Sequence, residues 1–276
     1  MIVCYAAGGG LGHLTRVRAF LHAMRPGRDA VILTSSPFAD DRRVVGPYRT
    51  VILPPGASYL TALAELAPTE LIVDAFPGGR YGELTPSTLP GSLRTTTHLA
   101  RLLQWTRYRA VATAPLPHYD HTWTVEPLTG EHHADLAAVS TSMAPLDLVD
   151  PRPADVPALD EGSWLIVHSG PAAEVAELIA YAEETAAAEG LPPSPRRLVL
   201  VAPAGIEDPR VHRLDAYPAW PLFARAARII TAAGCNAVRQ AAPWRDIHRM
   251  IPFPRLFDDQ FTRAARARRR PVNGLE

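Results

Sequence analysis

Short apolar runs alternate with amphipathic stretches along most of the chain. Runs rich in β-branched residues are typical of buried strands, and apolar residues at helical spacing are typical of helices packed on one face. The clearest helical pattern spans 11–24, and it predicts that Thr15, Arg16, Arg18 and His22 face away from the core. The strands predicted in the first half are 1–7, 30–36, 49–54, 70–76 and 108–114. This alternation predicts a parallel sheet covered by helices on both faces.

The alternation stops between Pro145 and Gly162 and then resumes. That stretch holds four prolines and five acidic residues without sustained periodicity, which is typical of an interdomain linker. A second series follows it: a strand and turn at 163–170 and strands at 196–203, 228–234 and 247–253 alternate with helices at 172–190, near 218–226, after Cys235 and from about Asp258. We therefore predict an α/β fold with two Rossmann-like parallel-sheet domains, residues 1–145 and 161–276, joined by a linker at 146–160.

Length, composition and charge narrow the class of protein. A chain of 276 residues, 47% hydrophobic, is long enough for two domains. It lacks both an apolar run of roughly 18 residues and the basic, apolar and cleavable pattern of a signal peptide, so we expect a soluble cytoplasmic protein. The 28 basic and 28 acidic residues balance, which argues against nucleic acid as a partner.

The basic residues and cysteines carry little information one by one. Every basic residue is arginine, a coding bias that weakens any single arginine as a functional signal. The basic cluster at 262–271 is typical of a solvated helix, and peripheral contact with a membrane surface or a phosphate is the alternative. Cys4 and Cys235 each lie within an apolar segment far apart in sequence, so we expect buried, reduced thiols.

Ligands of open α/β sheets bind beyond the carboxyl ends of the strands, so the strand-to-helix turns are the candidate sites. Five turns qualify: 6–13, 74–79, 167–172, 231–236 and 252–260. Glycine in such a turn lets backbone amides approach an anion at a helix N-terminus, although glycine-rich turns are structural about as often. The first turn departs from the dinucleotide fingerprint G-x-G-x-x-G, whose third glycine would fall at His13.

Four of these segments together resemble the successive signatures of the GT-B glycosyltransferases. They are "GGGLGH", "SG" at 169–170, "AAGCNAVRQA" and "IPFPRLFDDQFTRAARAR". The closest resemblance is to the family 28 branch, which includes the enzyme that adds N-acetylglucosamine to the lipid-linked peptidoglycan precursor. It implies two Rossmann-like domains facing across a cleft, with the acceptor on the N-terminal side and a nucleotide-sugar donor held by the C-terminal domain.

The resemblance also assigns donor-binding residues. They are Gly10, Gly12, His168, Ser169, Gly170, Gly234, Asn236, Gln240, Asp259 and Gln260, of which the 168–170 segment would approach the diphosphate and the 259–260 pair the sugar hydroxyls. Gln240 departs from the family pattern, which commonly has a glutamate there that accepts hydrogen bonds from the ribose. The neutral amide leaves donor affinity and identity open.

These features predict metal-independent, inverting transfer of a hexosyl or N-acetylhexosaminyl group from a nucleoside-diphosphate sugar to a hydroxyl acceptor. We expect His13 to be the general base and Asp74 to orient it or replace it, because both follow strands at the same sheet edge. In the alternative, His13 only binds a loop carbonyl. No cofactor is expected, and no Asp-x-Asp metal motif is present. A nucleotide-sugar hydrolase of the same fold and a catalytically silent nucleotide-sugar-binding subunit remain as alternative functions.

Overall fold

The chain divides into two compact units. A computed structural model describes residues 1–54, 56–191, 197–203 and 205–269. The first unit is Met1–Pro151 together with Leu256–Asp259, and the second is Arg152–Arg255 together with the chain that begins at Gln260. Residues 146–163, all of them described, contain no helix or strand.

The first unit is built on a seven-stranded sheet with the order β3-β2-β1-β4-β5-β6-β7. Every pairing of neighbouring strands is parallel. The strands are β1 (Ile2–Ala6), β2 (Ala30–Thr34), β3 (Arg49–Ile52), β4 (Glu70–Asp74), β5 (Thr95–Ala100), β6 (Tyr119–Thr124) and β7 (Ser140–Pro145). Strands β1 and β4 are neighbours in register, with Tyr5 opposite Val73, so the turns that follow them leave the same edge of the sheet.

The helices of the first unit confirm the amphipathic helix predicted at 11–24. Two other predictions, a strand at 108–114 and an outward Arg16, are wrong. The helices are α1 (Leu11–Met24), α2 (Arg42–Val45), α3 (Tyr59–Leu66), α4 (Trp105–Arg109) and α5 (Gly130–Ala138). The strand predicted at 108–114 is wrong, because Tyr108 ends up buried on α4 rather than on a strand. The outward orientation predicted for Arg16 is also wrong: its side chain is only 4% exposed because it pairs with Asp74.

The second unit carries a five-stranded sheet with the order β10-β9-β8-β11-β12, again with parallel pairings. Its strands are β8 (Trp164–Val167), β9 (Leu198–Val201), β10 (His212–Arg213), β11 (Arg228–Ala232) and β12 (His248–Ile251). Its α-helices are α6 (Ala172–Ala188), α7 (Cys235–Gln240) and α8 (Gln260–Arg269), and the segment predicted as a helix near 218–226 forms a 3-10 helix at Trp220–Arg225. The two parallel α/β sheets confirm the predicted fold class.

Each unit has its own apolar core around its sheet. In the first, Val3, Val31 and Leu71 bury the sheet against α3; in the second, Ile166, Leu200 and Ile230 bury it against α6. Cys4 and Cys235 are both buried and neither forms a disulfide, as predicted. Among the helices within the described ranges, none has the length and apolar character needed to cross a membrane.

The segment Leu256–Asp259 groups with the first unit, although its neighbours in the chain group with the second. It precedes α8 in the chain, but Phe257 is buried among Phe76, Leu103 and Tyr108 of the first unit. Asp259 therefore belongs to the first unit, whereas Gln260 begins α8 of the second. The buried Phe257 ring is the apolar contact that groups this segment with the first unit.

Candidate active site

The glycine-rich turn after β1 places His13 at the sheet edge of the first unit. Gly10 is the N-cap of α1, and Gly12 and His13 are the second and third helical residues. A Cβ atom on Gly8 would lie 2.4 Å from Cδ2 and 2.5 Å from Nε2 of His13. Only glycine fits at residue 8, because any side chain there would collide with the imidazole ring.

The structure brings His13 and Asp74 together. Nδ1 of His13 lies 2.6 Å from Oδ2 of Asp74, which is the last residue of β4 and is fully buried. An ionised carboxylate can only accept a hydrogen bond, so Nδ1 is the donor and carries the proton. The lone pair of the neutral ring is then on Nε2, which has no hydrogen-bond partner among the described residues.

Arg16 completes this cluster, and the sequence analysis missed it. Its Nε and Nη2 atoms donate to the two oxygens of Asp74 at 2.8 and 2.7 Å, a bidentate pair inside the protein. Although burial alone would raise the pKa of Asp74, the charge of Arg16 and the hydrogen bond from His13 hold it well below its ordinary value. The signal was the spacing: residues 13 and 16 share one face of α1.

Burial favours the neutral form of the His13 imidazole. Burial lowers its pKa, while the hydrogen bond and charge of Asp74 oppose that shift and the charges of Arg16 and Arg101 reinforce it. Its side chain is 12% exposed. A neutral imidazole with its tautomer fixed by a buried carboxylate has the form that a general base requires.

The turn after β4 is strained and aims an aromatic ring at His13. Ala75 has a φ of 69°, and the amide of Phe76 donates to the carbonyl of Asp74 at 2.9 Å, which closes a three-residue turn. A non-glycine residue with this φ is unfavourable unless the surrounding structure holds it, and such positions cluster at functional sites. The Phe76 ring lies 5.5 Å from that of His13, centroid to centroid.

The second unit contains another cluster of histidine, carboxylate and arginine. Nε2 of His168, directly after β8, lies 2.8 Å from Oε2 of Glu174, and Arg255 donates to both oxygens of Glu174 at 2.6 and 2.5 Å. Burial lowers the pKa of His168, and Glu174 opposes the shift. A Cβ atom on Gly170 would lie 2.3 Å from Nε2 of His168, so any larger residue there would have to displace the imidazole.

The other predicted donor-binding residues lie at the same sheet edge of the second unit, after the neighbouring strands β8, β11 and β12. Ser169 and Gly170 precede α6, Gly234 is the N-cap of α7, Asn236 is its second residue and Gln240 its last. Gln260 is buried, and its Oε1 accepts a 3.0 Å hydrogen bond from the Phe253 amide. Asp259 is the last residue of the segment that groups with the first unit, and Gln260 begins α8 of the second.

Comparisons with known proteins support the fold. The chain matches no protein-family model and no curated protein sequence. Solved structures do match it. The glycosyltransferase SsfS6 of Streptomyces sp. SF2575 superposes with a TM-score of 0.59 at 11% identity, over 96% of this chain and 84% of that one. SnogD, the glycosyltransferase from Streptomyces nogalater, gives 0.57 at 14% identity, over 92% and 81%.

A third solved structure is the spinosyn rhamnosyltransferase SpnG complexed with thymidine diphosphate. It superposes with a TM-score of 0.51 at 16% identity, over 97% of this chain and 84% of that chain. At such identities the likeness shows the fold, which is the GT-B fold predicted from the sequence motifs. The chemistry has to be argued from the sites themselves.

Proposed function

We propose that this protein transfers a glycosyl group from a nucleoside-diphosphate sugar to a hydroxyl acceptor. The observation that carries the proposal is the His13–Asp74–Arg16 cluster, which holds a neutral imidazole with Nε2 unoccupied at the sheet edge. A subunit that only binds nucleotide sugars has no use for a buried, charged carboxylate that fixes a histidine tautomer. The cluster therefore favours an enzyme over the silent subunit.

The geometry supports a single-displacement reaction. Nε2 of His13 takes the proton of the acceptor hydroxyl as its oxygen forms a bond to the anomeric carbon. The bond from that carbon to the diphosphate oxygen breaks, and the nucleoside diphosphate leaves with the electron pair. Asp74 stabilises the imidazolium that forms, and Arg16 keeps Asp74 charged and in place. Displacement in one step inverts the anomeric configuration.

The donor is assigned to the second unit. Glycine-bearing turns follow the neighbouring strands β8 and β11 at one edge of its sheet, and α6, a helix of 17 residues, begins after the first of them. Backbone amides at helix N-termini are suited to stabilise the charge on the departing diphosphate. The SpnG structure is a complex with thymidine diphosphate, and the family resemblance suggests uridine diphosphate, so these two nucleotides are the first probes.

Several finer assignments belong to this proposal. They are the family 28 relationship, the hexosyl or N-acetylhexosaminyl group, the independence of metal and cofactor, the cytoplasmic location and the absence of a nucleic-acid partner. The related hydrolase would use the same base with water in place of the acceptor hydroxyl. Transfer is preferred because the solved structures of similar fold are glycosyltransferases.

A donor panel tests the proposal. UDP- and dTDP-linked sugars are incubated with the protein, with and without a pool of hydroxyl acceptors and with EDTA present, and sugar products and free nucleotide are measured. Glycosylated product that depends on His13 supports transfer. Release of free sugar and nucleotide at the same rate with and without acceptor identifies the hydrolase. Neither product from any donor, despite nucleotide binding, identifies the silent subunit.

A further inference from the structure

Arg101 follows β5 directly, beside the strand that ends in Asp74, and it is almost fully buried. Asp74 is opposite Leu99 in the register of β4 and β5, which places residue 101 at the same edge of the sheet as the His13 cluster. Its side chain is 7% exposed. A buried guanidinium is costly unless the structure uses its charge or its geometry.

Two contacts hold the Arg101 guanidinium in one orientation. Nη1 pairs with Oδ1 of Asp258, and the Cζ atom lies 5.7 Å from the centroid of the Phe76 ring. Phe76 is the same ring that lies against His13, so the guanidinium and the imidazole contact one aromatic side chain. Arginine over an aromatic ring at this distance is a favourable cation–π contact.

Asp258 is itself placed by the backbone. It forms an isolated antiparallel bridge with Leu103, and the Gln104 amide donates to the Phe257 carbonyl at 2.7 Å. The Phe257 ring meets Phe76 edge-on, with the centroids 5.7 Å apart. The segment Leu256–Asp259 belongs to the same unit as Phe76 and therefore supports that ring through Phe257.

We propose that Arg101 is a positioning residue for the His13 base: paired with Asp258, it fixes the Phe76 ring against which the imidazole is held. This inference rests on the proposed function and names a further residue that the reaction needs. Arg101 makes no hydrogen bond to His13 or Asp74, so it acts through Phe76 and through its charge.

The charge acts on His13 in a defined direction. The charged groups that influence the imidazole are Asp74 from β4, Arg16 from α1 and Arg101 after β5. Arg16 is committed to Asp74 by two hydrogen bonds, whereas Arg101 approaches from the next strand and disfavours protonation of His13. Loss of Arg101 should therefore raise the pKa of His13, and loss of Asp258 should leave it unchanged or lower it.

The chain offers a matched control in Arg25. Arg25 also pairs with a carboxylate, Glu70, at 2.8 Å, and its Cζ atom also lies 5.7 Å from a phenylalanine ring, that of Phe20. Glu70 begins β4 and Asp74 ends it, so the control pair is at the opposite end of the same strand. A purely structural role predicts that the two pairs behave alike.

The test measures the His13 imidazole directly by NMR titration of ¹⁵N-labelled protein, with the His13 signal identified by its loss in His13→Gln. We expect Arg101→Gln to raise the His13 midpoint, Arg101→Lys to restore it, and Arg25→Gln to leave it at the wild-type value. An unchanged midpoint in folded Arg101→Gln, or an equal shift in Arg25→Gln, overturns the proposal.

Turnover is measured on the same variants with the donor that the panel identifies. Arg101→Gln should lower kcat roughly 10- to 100-fold with little change in donor KM, while Arg25→Gln keeps the wild-type kcat. If Arg101→Gln does not fold, Asp258→Asn replaces it: a loss in kcat at constant KM supports the proposal, and wild-type kcat overturns it. If the wild-type protein transfers no sugar, the proposed function fails, and the NMR titration still decides the role of Arg101.

Discussion

The two units each contain a histidine, a carboxylate and an arginine beside a glycine that lies close to the imidazole, but the groups are connected differently. In the first unit Asp74 binds Nδ1 of His13 and is fully buried, with an arginine that is 4% exposed. In the second, Glu174 binds Nε2 of His168 and its arginine is 29% exposed. The first cluster leaves Nε2 available for proton transfer, whereas in the second that atom is engaged.

This difference indicates different tasks. Asp74 is fixed from two directions by Arg16 and His13, an arrangement that preserves one tautomer of one ring. Glu174 lies in the first turn of α6 and ties the turn after β8 to the loop after β12 through Arg255. We interpret the first cluster as the base and the second as the frame of the donor turn.

Substitution of the two histidines should separate the tasks most strongly. His13→Ala is expected to lower turnover roughly 10²- to 10⁴-fold, because it removes a positioned base, and to leave nucleotide affinity nearly unchanged. His168→Ala should instead weaken nucleotide binding. Steady-state kinetics and calorimetric nucleotide titration of both variants, on the same preparations, make the comparison.

Two results would contradict this division of labour. Turnover close to wild type in His13→Ala would end the case for that residue as the base. Equal losses in turnover and nucleotide binding in His13→Ala would reassign it to donor recognition.

The arginines should differ in their contribution to stability. Arg16→Met leaves the buried Asp74 carboxylate without its main counter-charge and is expected to cost about 3 to 5 kcal/mol in the free energy of unfolding. Arg255→Met breaks a partly exposed pair, and after solvent screening its cost should stay within about 1 kcal/mol. Urea unfolding at pH 7 measures both, and equal costs would show that the two clusters do not differ in burial energetics.

The pH dependence follows from the Asp74 pair. Because the pKa of Asp74 is lowered in the folded state, the pair stabilises the protein above the ordinary aspartate pKa, and that stability is lost as the pH falls through the folded value. The stability difference between wild type and Arg16→Met should therefore shrink in acid. A difference that stays constant from pH 7 to acid would indicate that Arg16 acts only by packing.

Some of these features could be read from the sequence, and others could not. The bounds of α1 followed from its periodicity, and the turns after β1 and β8 followed from their glycines. The strands β5, β6 and β7 were missed because they carry threonine, serine and histidine, whose polar groups pair across the sheet, as in Thr122 with Ser140 at 2.7 Å. Hydropathy cannot show such pairing, because the partners are distant in sequence.

The two histidine clusters also depend on residues that are distant in sequence, which sequence patterns do not reveal. The Arg16 guanidinium binds a carboxylate 58 residues away, so an outward position was the natural prediction for an arginine on an amphipathic helix. Likewise, nothing local in "PFPRLFDDQ" indicated that Phe257 packs into the first unit. The sequence motifs predicted His13 and His168 as site residues. Only the structure shows the carboxylates and arginines that bind them, and these partners distinguish their roles.

Nucleotide binding tests the second cluster without any chemistry. At about 100 times its dissociation constant, uridine diphosphate or thymidine diphosphate should stabilise the protein by about 2.7 kcal/mol. The effect should persist in His13→Ala and diminish in His168→Ala, because only the latter alters the donor turn. If no nucleoside diphosphate at millimolar concentration shifts the melting temperature of the wild type, the donor assignment fails.

Substitution of Gln240 has the smallest expected effect. It tests whether a carboxylate at this position would strengthen binding of the donor. In both histidine clusters a carboxylate is paired with arginine, but at residue 240 the chain has an amide where the family resemblance predicts glutamate. Gln240→Glu should add a charge-assisted hydrogen bond to the ribose, worth up to roughly 1 to 2 kcal/mol. Against this, Gln240 is the last residue of α7, where a negative charge is unfavourable by about 0.3 to 1 kcal/mol. Tighter nucleotide-sugar binding together with a slightly lower melting temperature of the free protein is therefore expected, and calorimetry with thermal unfolding measures both. Unchanged or weaker binding would show that the ribose is held elsewhere.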